Sequence, residues 1–563
     1  MQKNFKARIF AVVCALVLAF SLSANIFAAS VNDSKLPVPR YSSPEIKNII
    51  VMIPDGLSSD GYTLTRWYKA YDEKTGEFDT DAMLALDEMS SGLVRTYWTN
   101  GKIIGAVTDS APAATAFATG VKTNDKFVGV TPHSTPVASI LEAANLIGKS
   151  TGIVVTCNVQ HATPAAFTSH YNDRSKYDII GEQQAYNNID VMLGGGSMYL
   201  VSPYRKDGEN IIKELKSTDY EYVTTKEEMN AVKSGKIWGM FAADAMAYDF
   251  DIKENAPNEP TLAEMTAKAI ELLSQNEEGF FLMVEGSKVD WAAHANDPIG
   301  LISDTLAFDA AVKVALDYAK EHQDTMIIAM TDHGNGGITI GNYDTTGSYS
   351  SDPLSKFIAP LKKATLTGEG LAAKLNEERT NIAEVMKTYY GIDDLTAEEI
   401  EAIKETPASS MNYTVGPMIS KRAYLGWTTG GHTGEDVNLY TYLPGDGRIT
   451  GLIENTDVAK ICAKTWNINL NKVTEQLYID AETVFKANGA AVEIDIEKQA
   501  GGRMTVTKDG VILTILENKN YVIVENSILV DSADGPVKVI IESVVVNQSG
   551  KFYVPQSVID LIP

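Results

Sequence analysis

Basic residues are the scarcer charged groups in this chain. Forty-eight Lys and Arg stand against 73 Asp and Glu in 563 residues, a formal net charge of -25 at pH 7. That shortage argues against a nucleic-acid-binding surface, which neutralises phosphates with clustered cations. It also repels anionic substrates at long range, so any anion handled here needs a local source of positive charge. Cysteine is nearly absent, with three copies, which excludes a disulfide-built scaffold. Cys14 lies in an N-terminal leader, Cys157 closes the run Ile153-Val154-Val155-Thr156, and Cys462 sits in a helical stretch. Two buried thiols are expected there in place of a bridge. Past residue 30 no apolar run is long enough to cross a bilayer. Histidine is also rare, with seven copies, so the position of each is informative.

Residues 1–30 carry Lys3, Lys6 and Arg8, an apolar stretch from Ile9 to Leu22, and small residues at Ala24, Ala28, Ala29 and Ser30. This is the layout of a removable export signal. A secreted, periplasmic or envelope-associated protein is the expectation. Removal would leave 45 basic against 73 acidic residues, a charge of -28.

At this length more than one domain is expected. From about residue 45 to 470 short apolar runs alternate with amphipathic stretches, the pattern of an α/β domain with a mostly parallel central sheet flanked by helices. Helices are expected over 137–147, 261–274 and 303–320, with a final one near 472–487. Residues 200–258 and 341–410 read as insertions, and Thr396 with Glu399 forms a capping-box pattern on a surface helix. Beyond Asn488-Gly489 the text becomes β-branched runs broken by Asp509-Gly510, Asp534-Gly535-Pro536 and Ser549-Gly550. The expected organisation is a catalytic domain over 45–487 and a small β-rich module of hairpins over 488–563.

Three apolar runs end in acids: Asn48 to Pro54 before Asp55, Phe280 to Val284 before Glu285, and Met326 to Thr331 before Asp332. Buried parallel strands read as continuous apolar runs, and open α/β sheets bind ligands beyond the strands' carboxyl ends. Asp55, Glu285 and Asp332 are therefore expected to meet. Carboxylates so gathered need a cation or a raised pKa. Singly, each is an ordinary turn former.

Asp290 and His294, four apart just after Glu285, would share one helix face and could share one zinc ion. His333 follows Asp332 directly, and His432 lies in the glycine loop Gly430-Gly431-His432-Thr433-Gly434. His133, His170 and His322 read as structural or surface residues. Ser110 precedes the small residues Ala111 to Ala116, a helix start where backbone N–H groups favour phosphate. A serine there could be a nucleophile or a plain helix cap. No histidine stands near it in sequence, which leaves coordination to a cation as the available activation.

In this order the motifs Pro54-Asp55-Gly56, Asp109-Ser110-Ala111, Thr119-Gly120-Val121-Lys122, His161-Ala162-Thr163-Pro164, Met192-Leu193-Gly194-Gly195-Gly196, Val284-Glu285-Gly286 with Asp290 and His294, Thr331-Asp332-His333 and His432-Thr433-Gly434 resemble the alkaline phosphatase family. The resemblance spans about 45–470. It implies a phosphate monoesterase with a phosphoserine intermediate at Ser110, two zinc ions and a third ion, usually magnesium. One zinc would be held by Asp290, His294 and His432, the other by Asp55, Asp332 and His333. The third ion would be held by Asp55, Thr163 and Glu285. Arg174 matches the arginine that grips phosphoryl oxygens, as a planar fork of donors can. His161 and Trp291 stand where the best-known enterobacterial members have an aspartate and a lysine. Imidazole suits zinc better than magnesium, so His161 opens the third site to zinc or another divalent ion. Trp291 removes a cation from the substrate-binding cleft. Family members are often dimers, which implies a homodimer, and the C-terminal module could associate the protein with the cell envelope.

Two relatives in the same superfamily fit less well. Sulfatases need an arginine after Ser-x-Pro-x, where this chain has Ala114. Diesterases resemble a threonine-nucleophile pattern without the gripping arginine. An exported phosphate- or metal-binding protein without turnover is the rival from another class.

Overall fold

Asn48–Pro54 is buried at every position, and its side chains alternate between two apolar clusters. Ile50 and Met52 join one, while Ile49, Val51 and Ile53 join the other. Each such buried aliphatic side chain stabilises the fold by roughly 1.5–3 kcal/mol relative to exposure. A strand with apolar residues on both sides belongs inside a sheet covered on both faces, and that is where it lies.

The computed structural model describes residues 45–445, 447–496, 501–527, 530 and 535–562. The expected export signal and Cys14 fall outside them. Ten strands form the central sheet: β1 (Asn48–Pro54), β2 (Ser90–Arg95), β3 (Ser150–Asn158), β4 (Val191–Gly195), β5 (Tyr220–Val223), β6 (Lys236–Ala242), β7 (Phe280–Gly286), β8 (Thr325–Met330), β9 (Val437–Tyr442) and β10 (Gly451–Glu454). Their spatial order is β10-β2-β9-β8-β1-β7-β3-β4-β6-β5. Seven of the nine pairings are parallel, and only β9 runs against its neighbours. The expected α/β architecture is present as a large mixed sheet.

The helices used below are α1 (Ser110–Thr119), α2 (Ile140–Leu146), α3 (Ala162–Thr168), α4 (Tyr177–Tyr186), α5 (Leu262–Leu273), α6 (Lys288–His294) and α7 (Pro298–His322). Helices α5 and α7 cover one face of the sheet, and α1 and α2 the other. Thr261 caps α5 in a reciprocal box with Glu264. The expected helix over 303–320 starts earlier, because Asp297 caps it and Pro298 occupies its first turn.

Two expectations need correction. Residues 200–258 are not simply an insertion, since β5 and β6 extend the central sheet in parallel beyond β4. β5 is only four residues long and buried only at Tyr220 and Val223, which reads weakly as a parallel strand. The single helix near 472–487 is instead two, Leu470–Leu477 and Ala481–Ala487. Between them Ile479 and Asp480 pair with Val554 and Tyr553, and Asp480 accepts from Thr483 N to cap the second helix. Residues 341–410 carry helices and no strand of the central sheet.

The C-terminal region forms a five-stranded antiparallel sheet and joins a three-stranded one. One of its hairpins turns at Asp509-Gly510, where both residues have positive φ (51° and 86°), as a two-residue turn between twisted strands requires. Polar contacts dock this region on the larger one: Gln548 Nε2 donates to His170 O at 3.0 Å, and Lys519 pairs with Glu182 at 2.6 Å. Cys157 and Cys462 are both free and buried. Among the described residues no helix is long and apolar enough to cross a membrane.

Candidate metal centre and nucleophile

Strand register gathers the acids. Ile53 pairs with Glu285, and Met52 with Ala329, so Asp55, Glu285 and Asp332 come to the same carboxyl edge of three adjacent strands. Gly56 N donates to Asp332 Oδ1 at 3.1 Å, tying two of them together. Gly56 has φ +69°, and a Cβ there would lie 2.6 Å from Asp290 Oδ1, so glycine lets α6 approach this edge.

Three donor groups then face one another. His294 Nε2 lies 3.4 Å from Asp290 Oδ2, and His432 Nε2 lies 3.6 Å from Asp290 Oδ1. The two imidazole Nε2 atoms are 3.1 Å apart. His294 Nδ1 is 2.8 Å from Gly430 O, and His432 Nδ1 is 2.8 Å from Thr108 O. A carbonyl only accepts, so each Nδ1 carries a proton and, in the neutral ring, each Nε2 presents a lone pair. Two lone pairs facing each other beside a carboxylate fit a shared cation, and imidazoles oriented by backbone carbonyls are typical zinc ligands.

Donor atoms of Asp55, Asp332 and His333 form a second group within 4.8 Å of one another. Both Asp55 oxygens and Asp332 Oδ2 are buried without a hydrogen-bond partner, a costly state unless something positive sits among them. Burial and the charges of Asp332, Asp290 and Glu285 push Asp55 well above the ordinary carboxylate range. Burial also pushes Asp332 up, but the neighbouring His333 imidazole outweighs it and holds that carboxyl low.

Ser110 opens α1, with Asp109 as its cap. Its Oγ lies 3.2 Å from His333 Nε2, so folding supplies the histidine that sequence proximity did not. This is not a Ser/His/Asp relay. In a relay the carboxylate holds Nδ1 and the serine faces Nε2, whereas here His333 Nδ1 has no partner. Nε2 faces Ser110, Asp332 Oδ2 (3.1 Å) and Asp55 Oδ1 (3.6 Å) together. Serine, imidazole and carboxylates converge on one point, the arrangement of a metal site.

A third group joins Cys157, His161 and Glu285. Glu285 Oε1 and Thr163 Oγ1 are buried without a hydrogen-bond partner. His161 precedes α3, and its Nε2 is 2.9 Å from Arg174 Nη2. Arg174 Nη1 pairs with Asp109 Oδ1, which places the guanidinium beside the helix start that carries Ser110. Trp291, half-buried on α6, sets its ring edge-on to His161 with centroids 6.0 Å apart.

Every residue expected at the site thus lies at or beside this edge. Two contributors were missed. Asn335 orients Asp290, donating to its Oδ1 at 2.7 Å and its carbonyl at 3.0 Å. Cys157 was read only as a buried thiol, although its place at the end of an apolar strand, like those of Asp55 and Glu285, was the available signal. His170 is structural as expected, bonded to Glu142 and Tyr478.

Comparison with known proteins agrees with this geometry. The alkaline phosphatase family model matches residues 46–468. The chain is 36% identical over 475 residues to alkaline phosphatase 4 of Bacillus subtilis, covering 82% of this chain and 97% of that protein. Its fold resembles the cold-active alkaline phosphatase of Shewanella sp., with a TM-score of 0.65 and 30% identity over 74% of this chain and 99% of the other. It also resembles the Thermus thermophilus enzyme, with a TM-score of 0.66 and 26% identity over 78% and 95%. Matched along most of its length, with a buried donor cluster beside a helix-starting serine, the chain belongs to the alkaline phosphatase family of phosphate monoester hydrolases.

Proposed function

We propose that the protein is an exported alkaline phosphatase that hydrolyses phosphate monoesters through phosphorylation of Ser110. The observation that carries this reading is the 3.2 Å approach of Ser110 Oγ to His333 Nε2 amid buried oxygens that lack partners. Two zinc ions, held by Asp290, His294 and His432 and by Asp55, Asp332 and His333, and a third ion, magnesium or zinc, held by Asp55, Thr163 and Glu285 with His161 at hand, would lower the serine pKa and neutralise the phosphoryl charge.

Ser110 Oγ attacks phosphorus as the ester oxygen departs in line, giving phosphoserine and the free alcohol. Arg174, held in the cleft by Asp109 and His161, offers its planar fork to two phosphoryl oxygens. The N-terminus of α1 adds its positive end to the same charge. Water then attacks phosphorus, the serine ester bond breaks, and inorganic phosphate leaves while the Ser110 hydroxyl is restored with a proton from that water. With a surface as acidic as this one, substrate capture rests on these local groups.

Export is proposed from the leader-like residues 1–30, envelope association from the C-terminal β module, and homodimer formation from the family. Hydrolysis of 4-nitrophenyl phosphate, lost in Ser110→Ala and on chelation, together with a phosphoserine trapped at acid pH, is the test. Stoichiometric phosphate binding without turnover would overturn the reading.

A further inference from the structure

Cys157 lies two residues past Val155, the partner of Glu285 in the β3–β7 register, and its Sγ is 3.6 Å from Glu285 Oε2. Its Sγ, a His161 ring nitrogen and a Glu285 oxygen lie within 4.8 Å of one another, and all three residues are buried. A second observation makes this more than a stray thiol. Glu285 Oε1, Thr163 Oγ1 and both Asp55 oxygens are buried around it with no hydrogen-bond partner.

The spacing fits shared coordination. A sulfur at ~2.3 Å and an oxygen at ~2.0 Å from one tetrahedral ion stand about 3.5 Å apart. The donor set also speaks to the kind of ion. Magnesium takes near-octahedral oxygen ligands and keeps its waters, whereas a thiolate beside carboxylate oxygens suits zinc and its borderline-soft neighbours.

We propose that Cys157 is a ligand of the third cation, and that its sulfur beside Glu285 makes that site prefer zinc over magnesium. This deepens the functional reading above and rests on its third cation, though not on turnover. As a thiol, Cys157 donates to Glu285 Oε2. Coordination replaces the S–H bond with a sulfur–metal bond and releases one proton to solvent. The preference would come from this chain's own side chain at a position where oxygen donors alone would serve magnesium better.

The test uses the purified full chain, stripped by chelation and reloaded with Co2+ alone. Wild type is expected to show an intense near-ultraviolet sulfur-to-cobalt absorption, kept in Cys462→Ala and lost in Cys157→Ser. In competition dialysis followed by metal analysis, Cys157→Ser should lose at least about tenfold in zinc preference over magnesium at the third site. Wild type that takes three cobalt ions without this absorption overturns the proposal, as does wild type that takes no third ion, or a band that survives in Cys157→Ser. Should the serine variant not fold, the wild-type spectrum decides alone. A sulfur-cobalt band in a protein that does not hydrolyse aryl phosphates would sink the phosphatase reading and leave the ligand intact; hydrolysis without the band would do the reverse.

Discussion

Arg174 donates from Nη2 to His161 Nε2 across 2.9 Å. The contact requires an imidazole that accepts, and burial with the adjacent guanidinium pushes His161 down to about 3, so the ring is neutral at working pH. Nη1 meanwhile pairs with Asp109, the residue that caps the helix opened by Ser110. The guanidinium is thus fixed from both sides beside Ser110.

Arg174→Ala should therefore weaken both substrate and product binding. Hydrogen bonds to charged groups contribute about 1.5–3 kcal/mol, which corresponds to a roughly tenfold to hundredfold fall in kcat/KM. Arg174→Lys should recover little, because a point charge cannot reproduce the planar fork. Steady-state kinetics with 4-nitrophenyl phosphate and inhibition by inorganic phosphate check this. A lysine variant as good as wild type would show that charge alone matters.

Trp291 lies beside His161 with no charge to offer phosphate. Trp291→Lys should add an attraction and tighten inhibition by inorganic phosphate, with slower turnover wherever product release limits the rate. Unchanged or weaker inhibition would show that the side chain at this position does not reach the phosphate.

Chelation should lower thermal stability as well as activity. Asp55, Glu285, Asp290 and Asp332 are all fully or almost fully buried near one another, and bound cations relieve their mutual repulsion without the cost of protonating them. An ion present at about 100 times its dissociation constant stabilises by roughly 2.7 kcal/mol per site. The melting temperature should fall on chelation and recover when zinc is restored. An unchanged melting temperature at confirmed metal loss would contradict the repulsion argument.

The stabilising contribution of the buried His170–Glu142 pair should weaken at alkaline pH. Burial opposes charge on both His170 and Glu142, yet their mutual attraction wins: His170 is raised above its ordinary 6.5 and Glu142 lowered below its ordinary 4.5. The Glu142 contribution is present above 4.5 and lost as pH falls through its lowered value. The His170 contribution is present below 6.5 and lost as pH rises through its raised value. Between these limits the pair, joined by the Tyr478 hydroxyl, contributes most. The stability difference between wild type and His170→Asn should be larger near about pH 5.5 than near about pH 9. Equal differences would mean that His170 acts there only as a neutral hydrogen-bonding group.

Much of the centre was legible because each ligand occupies a place with a local signature. Asp55, Glu285 and Asp332 end apolar strands, Asp290 and His294 share a helix face, and His432 sits among glycines. Cys157 carried the strand-end mark but is a residue type that reads equally as a plain core thiol, and Asn335 carried no mark, because what defines it is contact with Asp290 and not local pattern. The edge strand Tyr220–Val223 was overlooked for a related reason: it is short and half-covered, buried only at its two ends. The break at Tyr478 was hidden because helical periodicity continues on both sides of it, while the pairing that interrupts it comes from Tyr553 and Val554, more than seventy residues away.

By itself the chain's order of residues determined which segments become strands and helices and which side chains stand at their ends, since these follow from periodicity, capping and turn chemistry within a few residues. Tertiary structure alone decided which of those ends share a cavity. The parallel register across β8, β1, β7 and β3 brings donors more than two hundred residues apart within a few ångströms, and that choice is made by burial over whole strands, a quantity no local window contains.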